Sequence, residues 1–597
     1  MNSPAMFCMK LMRMALGGMF ILSPMSYGQV ETQADPPVNP TVNPAFSLDQ
    51  VIADRVSKME PPESRPRISG VKMEISSPSK KAREHVMTGF GLVHAQWDFE
   101  AYRHFCSALS EDADCLMAYC GVTLALAKPY NEYAKYRMVA VNRMLDLLDA
   151  DDAGVKAGKV ERFSAAEKEF VLATATLVSA SPRAAGMMFQ KLGEKSPHLV
   201  QARLLSIFLT RGGYDVLGMP TPEQKMAMKK TREMLREYPE NPMVHGFWLS
   251  INAEAPASSS YIKKEILPYA RYLAKMCPSV PSWHHMLGHY EWRVGNYLLA
   301  ERAFTKASVL YGAWMVKEDA GVNDCEGYIR SMCYLANTHY QRGDFDAAMY
   351  VAKEISAIKL DPDRPTSPGN QILLWRASTL PARLYMARGA DGDMDRALKS
   401  FPSKESLKHY VAHAQHPTLA GVYIEALSAY LGCRKAMDDK AMDAAGQLHK
   451  KMFRRYIVAL AKVAQGARRS PDYAHYLNAG SSLAIYDMEL AGLVAMNGEK
   501  DMRMTATNWF RSARDKQGRP SMMMPPLVLS PMENRLAEYY VKVGKPQDAL
   551  AAYSAGEKRY PNNIPSMLGM KHCLEKLGRN EAAGVVQKQI EMVKNLK

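Results

Sequence analysis

Three histidines in six residues, His284, His285 and His289, stand at the head of PSWHHMLGHYEWRVGNYLLAERAFTKASVLY, residues 281–311. On a helix, His285 and His289 share one face, and such an imidazole pair can ligate zinc or copper once a third or fourth ligand joins it. Met286 follows His285, so the glutamate of the catalytic HExxH arrangement is missing. A second pair at the same spacing, His409 and His413 in HYVAHAQH, helps only if the fold brings it close. The methionines of PSMMMPP (520–526) and DMRM (501–504) are soft ligands for Cu(I), but 41 methionines run through the whole chain, which suits core filling better. DADDAGVKAGKVE, 149–161, nearly forms a calcium loop and nearly forms a phosphate loop. Val160 stands where either motif needs another residue, so a charged turn is the better reading. There is no GxSxG and no nucleophile–base signature. No catalytic residue and no cofactor is assigned.

The elements that must position these side chains are helical. From about residue 79 apolar residues recur at three and four, and Pro, Gly and Asp/Asn clusters break the run every 15 to 20 residues. Helices that short must stack in hairpins to bury their faces. Gly544 and Gly578 are 34 residues apart, as are Ala549 and Ala583. In MENRLAEYYVKVGKPQDALAAYSAGEKRYPNN, residues 537 and 549 are small enough for close helix approach, Gly544 allows the turn, and Tyr540 and Tyr553 fill space between hairpins. Leu287, Gly288, Gly295, Tyr297, Ala300, Phe304 and Ala307 fall at the corresponding positions of 281–311. The clearest units are about 82–115, 281–314, 329–362, 530–563 and 564–597; weaker hairpins fit 226–242, 380–398, 420–448 and 486–513.

This pattern resembles tetratricopeptide-repeat proteins, in particular large secreted bacterial ones, over most of residues 80–595. The resemblance implies an all-α solenoid, a right-handed superhelix of hairpins, with one stripe of each first helix facing a concave groove. Mapped onto this sequence, the stripe is Ser282, His285, His289, Trp292 and Arg293 in one unit. In the next it is Arg330, Cys333, Asn337, Tyr340 and Gln341. Such a polar, aromatic and partly basic face suits an extended peptide or an anionic group.

The formal charge of +15 favours acidic partners, yet Lys and Arg are scattered among acids and no nucleic-acid-reading motif appears, so nucleic acid is not expected. Residues 1–28 read as a signal peptide: Lys10 and Arg13 precede an apolar run from Met14 to Met25, with small residues Ser26 and Gly28 before the cut. The expected product is exported, periplasmic or extracellular, with no transmembrane segment. Residues 29–78 are Pro-rich and read as a flexible lead-in with a short helix near 47–59. The eight later cysteines lack a disulfide framework, although one or two bridges are compatible with export. The expected function is a scaffold for protein–protein or protein–peptide interaction through the groove. Two alternatives stay open: a metal-binding protein using His285 and His289, and a structural subunit of an envelope assembly.

Overall fold

The computed structural model describes residues 46–63, 70–71, 73–127, 131–214, 219–253, 259–364, 367–403, 419–466, 473–498, 500–517 and 525–595. The signal peptide, the His409/His413 pair and Met522, Met523 and Met524 lie outside these residues. The described chain is an all-α array of helical hairpins. The helices used below are α1 (Lys80–His94), α2 (Asp98–Glu111), α3 (Leu116–Ala125), α4 (Pro281–Arg293), α5 (Tyr297–Lys317), α6 (Glu326–Gln341), α7 (Phe345–Ser356), α8 (Leu380–Arg388), α9 (Tyr473–Asn497), α10 (Lys500–Lys516), α11 (Met532–Lys542), α12 (Pro546–Arg559), α13 (Ile564–Lys576) and α14 (Asn580–Asn595). Helices α1/α2, α4/α5, α6/α7, α9/α10, α11/α12 and α13/α14 pack as hairpins.

The turns explain why the hairpins form. Gly295, Gly343, Gly544 and Gly578 each occupy the middle of a three-residue connection with φ of 76°, 80°, 73° and 70°. This is left-handed backbone that glycine adopts without a Cβ clash. Beyond each turn, Ala300, Ala348 and Ala549 are fully buried, so the second helix lies close against the first. Where an aromatic ring fills the joint, a glycine faces it: Gly288 against Phe304, Gly89 against Phe105, and Gly492 against Phe510. No helix among the described residues is long and apolar enough to cross a membrane.

Three features bear on the sequence reading. The lead-in is not a free linker in its described part. Val51, Ala53, Val56 and Val71 are buried, and Tyr102 Oη both donates to Val51 O (2.7 Å) and accepts from Ala53 N (2.9 Å). Apolar residues between the prolines supply the contacts that outweigh chain entropy there. Second, all eight described cysteines are buried free thiols, so no bridge forms among them. Third, the array closes on itself. One hydrophobic cluster joins Trp292, Phe304, Tyr334 and Leu335 to Leu529, Tyr560, Ile564 and Met567. The C-terminal hairpins thus lie against the central ones, and Asn562 Nδ2 donates to Gly295 O (3.1 Å).

Candidate functional site

The stripe proposed from the sequence divides into three parts. Ser282, His285 and Arg330 line a cleft. His289, Trp292 and Arg293 are buried between helices. Asn337, Tyr340 and Gln341 face inward but are covered by the chain itself. The expectation of a solvent-facing groove along the whole stripe is therefore corrected, and its cause is the closure of the array.

His289 is fully buried, with Nδ1 3.2 Å from Tyr334 Oη. Burial holds its ring well below the usual histidine range, with Arg293 and His285 adding to the effect. His285 Nδ1 lies 2.9 Å from Ser331 Oγ, and Ser331 donates its own proton to Gly327 O at 2.7 Å. Nδ1 of His285 therefore carries the hydrogen. Among the described residues no group of three or more His, Cys, Asp or Glu side chains is placed to hold a metal ion. The residues 149–156 that imitate a loop motif belong to the helix Ala134–Lys156.

At the far end of α6, side chains of α6, of the turn Leu373–Ala377 and of α8 grip a segment of the same chain, residues 525–530. Gln341 Nε2 donates to Leu529 O (3.0 Å), and Tyr340 Oη pairs with Ser530 Oγ (2.8 Å). Arg376 donates to Pro525 O, while Arg383 donates to Pro526 O (3.2 Å) and Leu527 O (3.3 Å). Prolines suit this segment, because they require no acceptor for a backbone N–H. Asn563 Nδ2 then donates to Gln341 Oε1 (2.5 Å), tying α13 to the same site.

The near end of α6 is open. There, several chain segments enclose a cleft of about 810 Å³, counting the part open to solvent. The α1–α2 turn contributes Gln96 and Trp97, α2 contributes Asp98 and Phe99, and a short turn contributes Tyr133. Helix α4 supplies Ser282, His285 and Met286, α5 supplies Tyr311, and the start of α6 supplies Glu326 and Arg330. Trp97 packs edge-on against Tyr311, with ring centroids 6.1 Å apart, and Phe99 lies 6.0 Å from Tyr133. Burial, first of all, pushes the Tyr311 phenol well above its usual range, so the hydroxyl stays protonated. Ser282 is buried, and its Oγ has no hydrogen-bond partner among the described residues.

Arg364 braces one wall. It meets Glu132 through Nε (2.6 Å) and Nη2 (3.0 Å), Asp324 at 2.7 Å and Tyr133 Oη at 3.1 Å. Arg330 pairs with Glu326 at 2.9 Å. The sequence reading missed Trp97, Phe99, Tyr133, Tyr311 and Arg364. One signal was available. The first hairpin turn places Gln96, with φ of 60°, and Trp97 where the later turns carry Gly-Asn, Gly-Asp, Gly-Lys and Gly-Arg. A bulky aromatic residue that displaces turn chemistry marks a position with another task.

No family model matches the chain. No curated protein matches it either. Among solved structures it is similar to the human IFIT1 dimer with m7Gppp-AAAA, at 10% identity over 92% of this chain and 99% of that one, with a TM-score of 0.33. It is also similar to the APC/C hetero-tetramer Cut9-Hcn1 (13% identity, 86% and 74% covered, TM-score 0.28). A third match is the P58(IPK) TPR domain (12% identity, 85% and 98% covered, TM-score 0.19). Superpositions this loose transfer neither a shape nor a partner. The class, an all-α solenoid of helical hairpins, rests on the turns and joints described above.

Proposed function

We propose that the chain is a binding scaffold that takes an extended polypeptide segment of a partner in the cleft at the near end of α6. The observation that carries this reading is the far end of the same helix. There Gln341 of α6, together with Arg376 and Arg383 from the neighbouring elements, already holds a peptide segment, residues 525–530, through side-chain donors to the carbonyls of Pro525, Pro526, Leu527 and Leu529. Glu326 and Arg330 continue that face into the cleft, which residues 525–530 do not line. Main-chain recognition supplies affinity, and the aromatic walls around Trp97 and Tyr311 supply selectivity for a side chain. In this reading the signal sequence exports the protein, which works as a non-catalytic adaptor outside the cytoplasm. The net charge of +15 draws acidic partners to it.

The test is selection of peptides from a display library against residues 29–597, with affinities measured by fluorescence anisotropy. Ser282→Leu fills the cleft wall and should weaken selected peptides at least tenfold while the melting temperature stays within a few degrees. Peptides that bind Ser282→Leu and the parent equally well would place recognition elsewhere.

A further inference from the structure

We propose that the side chain which the cleft takes from its partner is a neutral phenol, a tyrosine, held between the rings of the wall with its hydroxyl on Ser282. The proposal rests on the cleft reading and names the residue that the cleft selects.

The walls call for an aromatic ring. Trp97, Phe99, Tyr133 and Tyr311 line the cleft, with Met286 among them. They are fixed from behind. Buried Trp314 meets Trp97 at 5.6 Å and Phe99 at 6.2 Å between ring centroids, both edge-on, and buried Tyr102 meets Tyr133 at 5.8 Å. Tyr311 takes its place because residue 327 has no side chain: a Cβ at Gly327 would lie 2.4 Å from both Cζ and Oη of that ring. Walls of this kind favour a further ring by edge-to-face contact beyond what its area alone gives, and a thioether adds a sulfur–ring contact.

The polar atoms decide which ring. Ser282 is 6% exposed, and its Oγ meets no partner among the described residues. Arg330 lines the same cleft, and its Nε meets none among them either. Both groups bring a hydrogen, so the ligand must bring an acceptor. Phenylalanine has none, and an indole N–H or an ammonium brings donors only. A carboxylate is disfavoured by the charge of the wall. Asp98, Asp324 and Glu326 line the cleft, and Arg330 is the one Lys or Arg among the described lining residues. These charges are also engaged within the fold. Arg330 meets Glu326 at 2.9 Å, Asp324 meets Arg364 at 2.7 Å and Arg55 at 3.5 Å, and Asp98 has contacts of its own. The cleft therefore asks for a neutral group, whatever the net charge of +15 does at longer range. A phenol is neutral, accepts at its oxygen and carries that oxygen on a ring. A backbone carbonyl meets the first two conditions but leaves the aromatic walls unfilled.

The experiment titrates residues 29–597 with capped pentapeptides Ala-Ala-X-Ala-Ala, where X is Tyr, Phe, Lys or Leu, followed by ligand-observed NMR. The Tyr peptide should bind about tenfold more tightly than the Phe peptide, which leaves a buried hydroxyl unmatched, and more tightly than the other two. Ser282→Ala is the decisive variant, because it removes no hydrogen bond among the described residues. In it the Tyr peptide should lose about tenfold while the Phe peptide keeps its affinity within about twofold, so the preference collapses. Gly327→Ala, which drives a Cβ into Tyr311, should weaken both peptides. Equal affinity for Tyr and Phe in the parent, tighter binding of the Lys or Leu peptide, a preference that survives Ser282→Ala, or no binding of any pentapeptide overturns the phenol. Display-selected peptides that obey Ser282→Leu without enrichment of tyrosine would reject the phenol and retain the cleft. A tyrosine preference that Ser282→Ala removes, beside selected peptides that ignore Ser282→Leu, would retain the phenol site and reject the cleft as the place where a partner polypeptide binds.

Discussion

Replacing Gly288 with alanine tests how the hairpins are built. A Cβ at Gly288 would lie 2.8 Å from Cδ1 and Cε1 of Phe304 and 3.0 Å from Cγ. Carbon pairs settle near 3.6 Å, so the ring must retreat by about 0.8 Å. It has little room to do so. Phe304 is fully buried, stacked on Tyr334 at 5.1 Å and edge-on to His285 at 5.5 Å. Overpacking of this kind costs about 2 kcal/mol, while alanine in place of glycine within a helix gains about 1 kcal/mol. The expected net loss is about 1 kcal/mol. Gly584 provides the matched control, because nothing lies within 4 Å of a Cβ placed there. Gly584→Ala should gain about 1 kcal/mol from the same propensity term. Propensity is common to both substitutions, so the difference of about 2 kcal/mol isolates packing, and it corresponds to about a 30-fold difference in exchange protection. Hydrogen exchange should be read in α4/α5 for one variant and in α13/α14 for the other, each against the parent, because repeat arrays open locally. Equal effects at the two sites would refute the claim that Gly288 exists to admit Phe304.

Arg364→Met removes the shared partner of Glu132, Asp324 and Tyr133; it should cost about 3 kcal/mol and speed exchange in 131–137 and 322–330, measured by mass spectrometry. Gln341→Leu leaves Leu529 O and the Asn563 amide without their partner, at a cost of about 2 kcal/mol. Elastase should then cut within 525–530 at least tenfold faster than in the parent. Burial lowers His94 to about 3, and burial with neighbouring Arg376 and Arg330 charge lowers His475 to about 3. Both rings are neutral in the fold, whereas the unfolded chain takes up protons near pH 6.5, so stability is full above that pH and declines as pH falls from 6.5 towards 3. His94→Phe, which retains the ring contact with Phe247, should flatten the fall in melting temperature between pH 6.5 and 4.5.

The hairpins were legible in the sequence because each one is a local object. A left-handed glycine, a small residue five positions later and a glycine facing an aromatic ring all fall within one 34-residue period. The fate of the inward stripe was not legible, because it depends on partners far along the chain. Leu529 is 188 residues from Gln341, and Ser530 is 190 from Tyr340. Periodicity placed Tyr340 and Gln341 on a face that holds a peptide segment, but it carried no information that the segment belongs to the same molecule. Trp292 was misplaced for the same reason, since Tyr560 covers it from the C-terminal hairpins, whereas His289 is covered by Tyr334 of the next hairpin. The cleft aromatics escaped notice because Trp97, Tyr133 and Tyr311 belong to three different units and meet only in the folded chain.

The self-contacts between residues 295 and 562, 341 and 529, and 340 and 530 have a consequence for how this molecule can vary. An open solenoid gains or loses a repeat and merely becomes longer or shorter. Here, inserting one 34-residue unit between the two halves would carry Leu529 and Asn562 past the side chains that receive them. The latch would then fail along its whole length. The number of units between α6 and α11 is thus fixed as firmly as a register. Lineages derived from this chain should tolerate added repeats only outside that span.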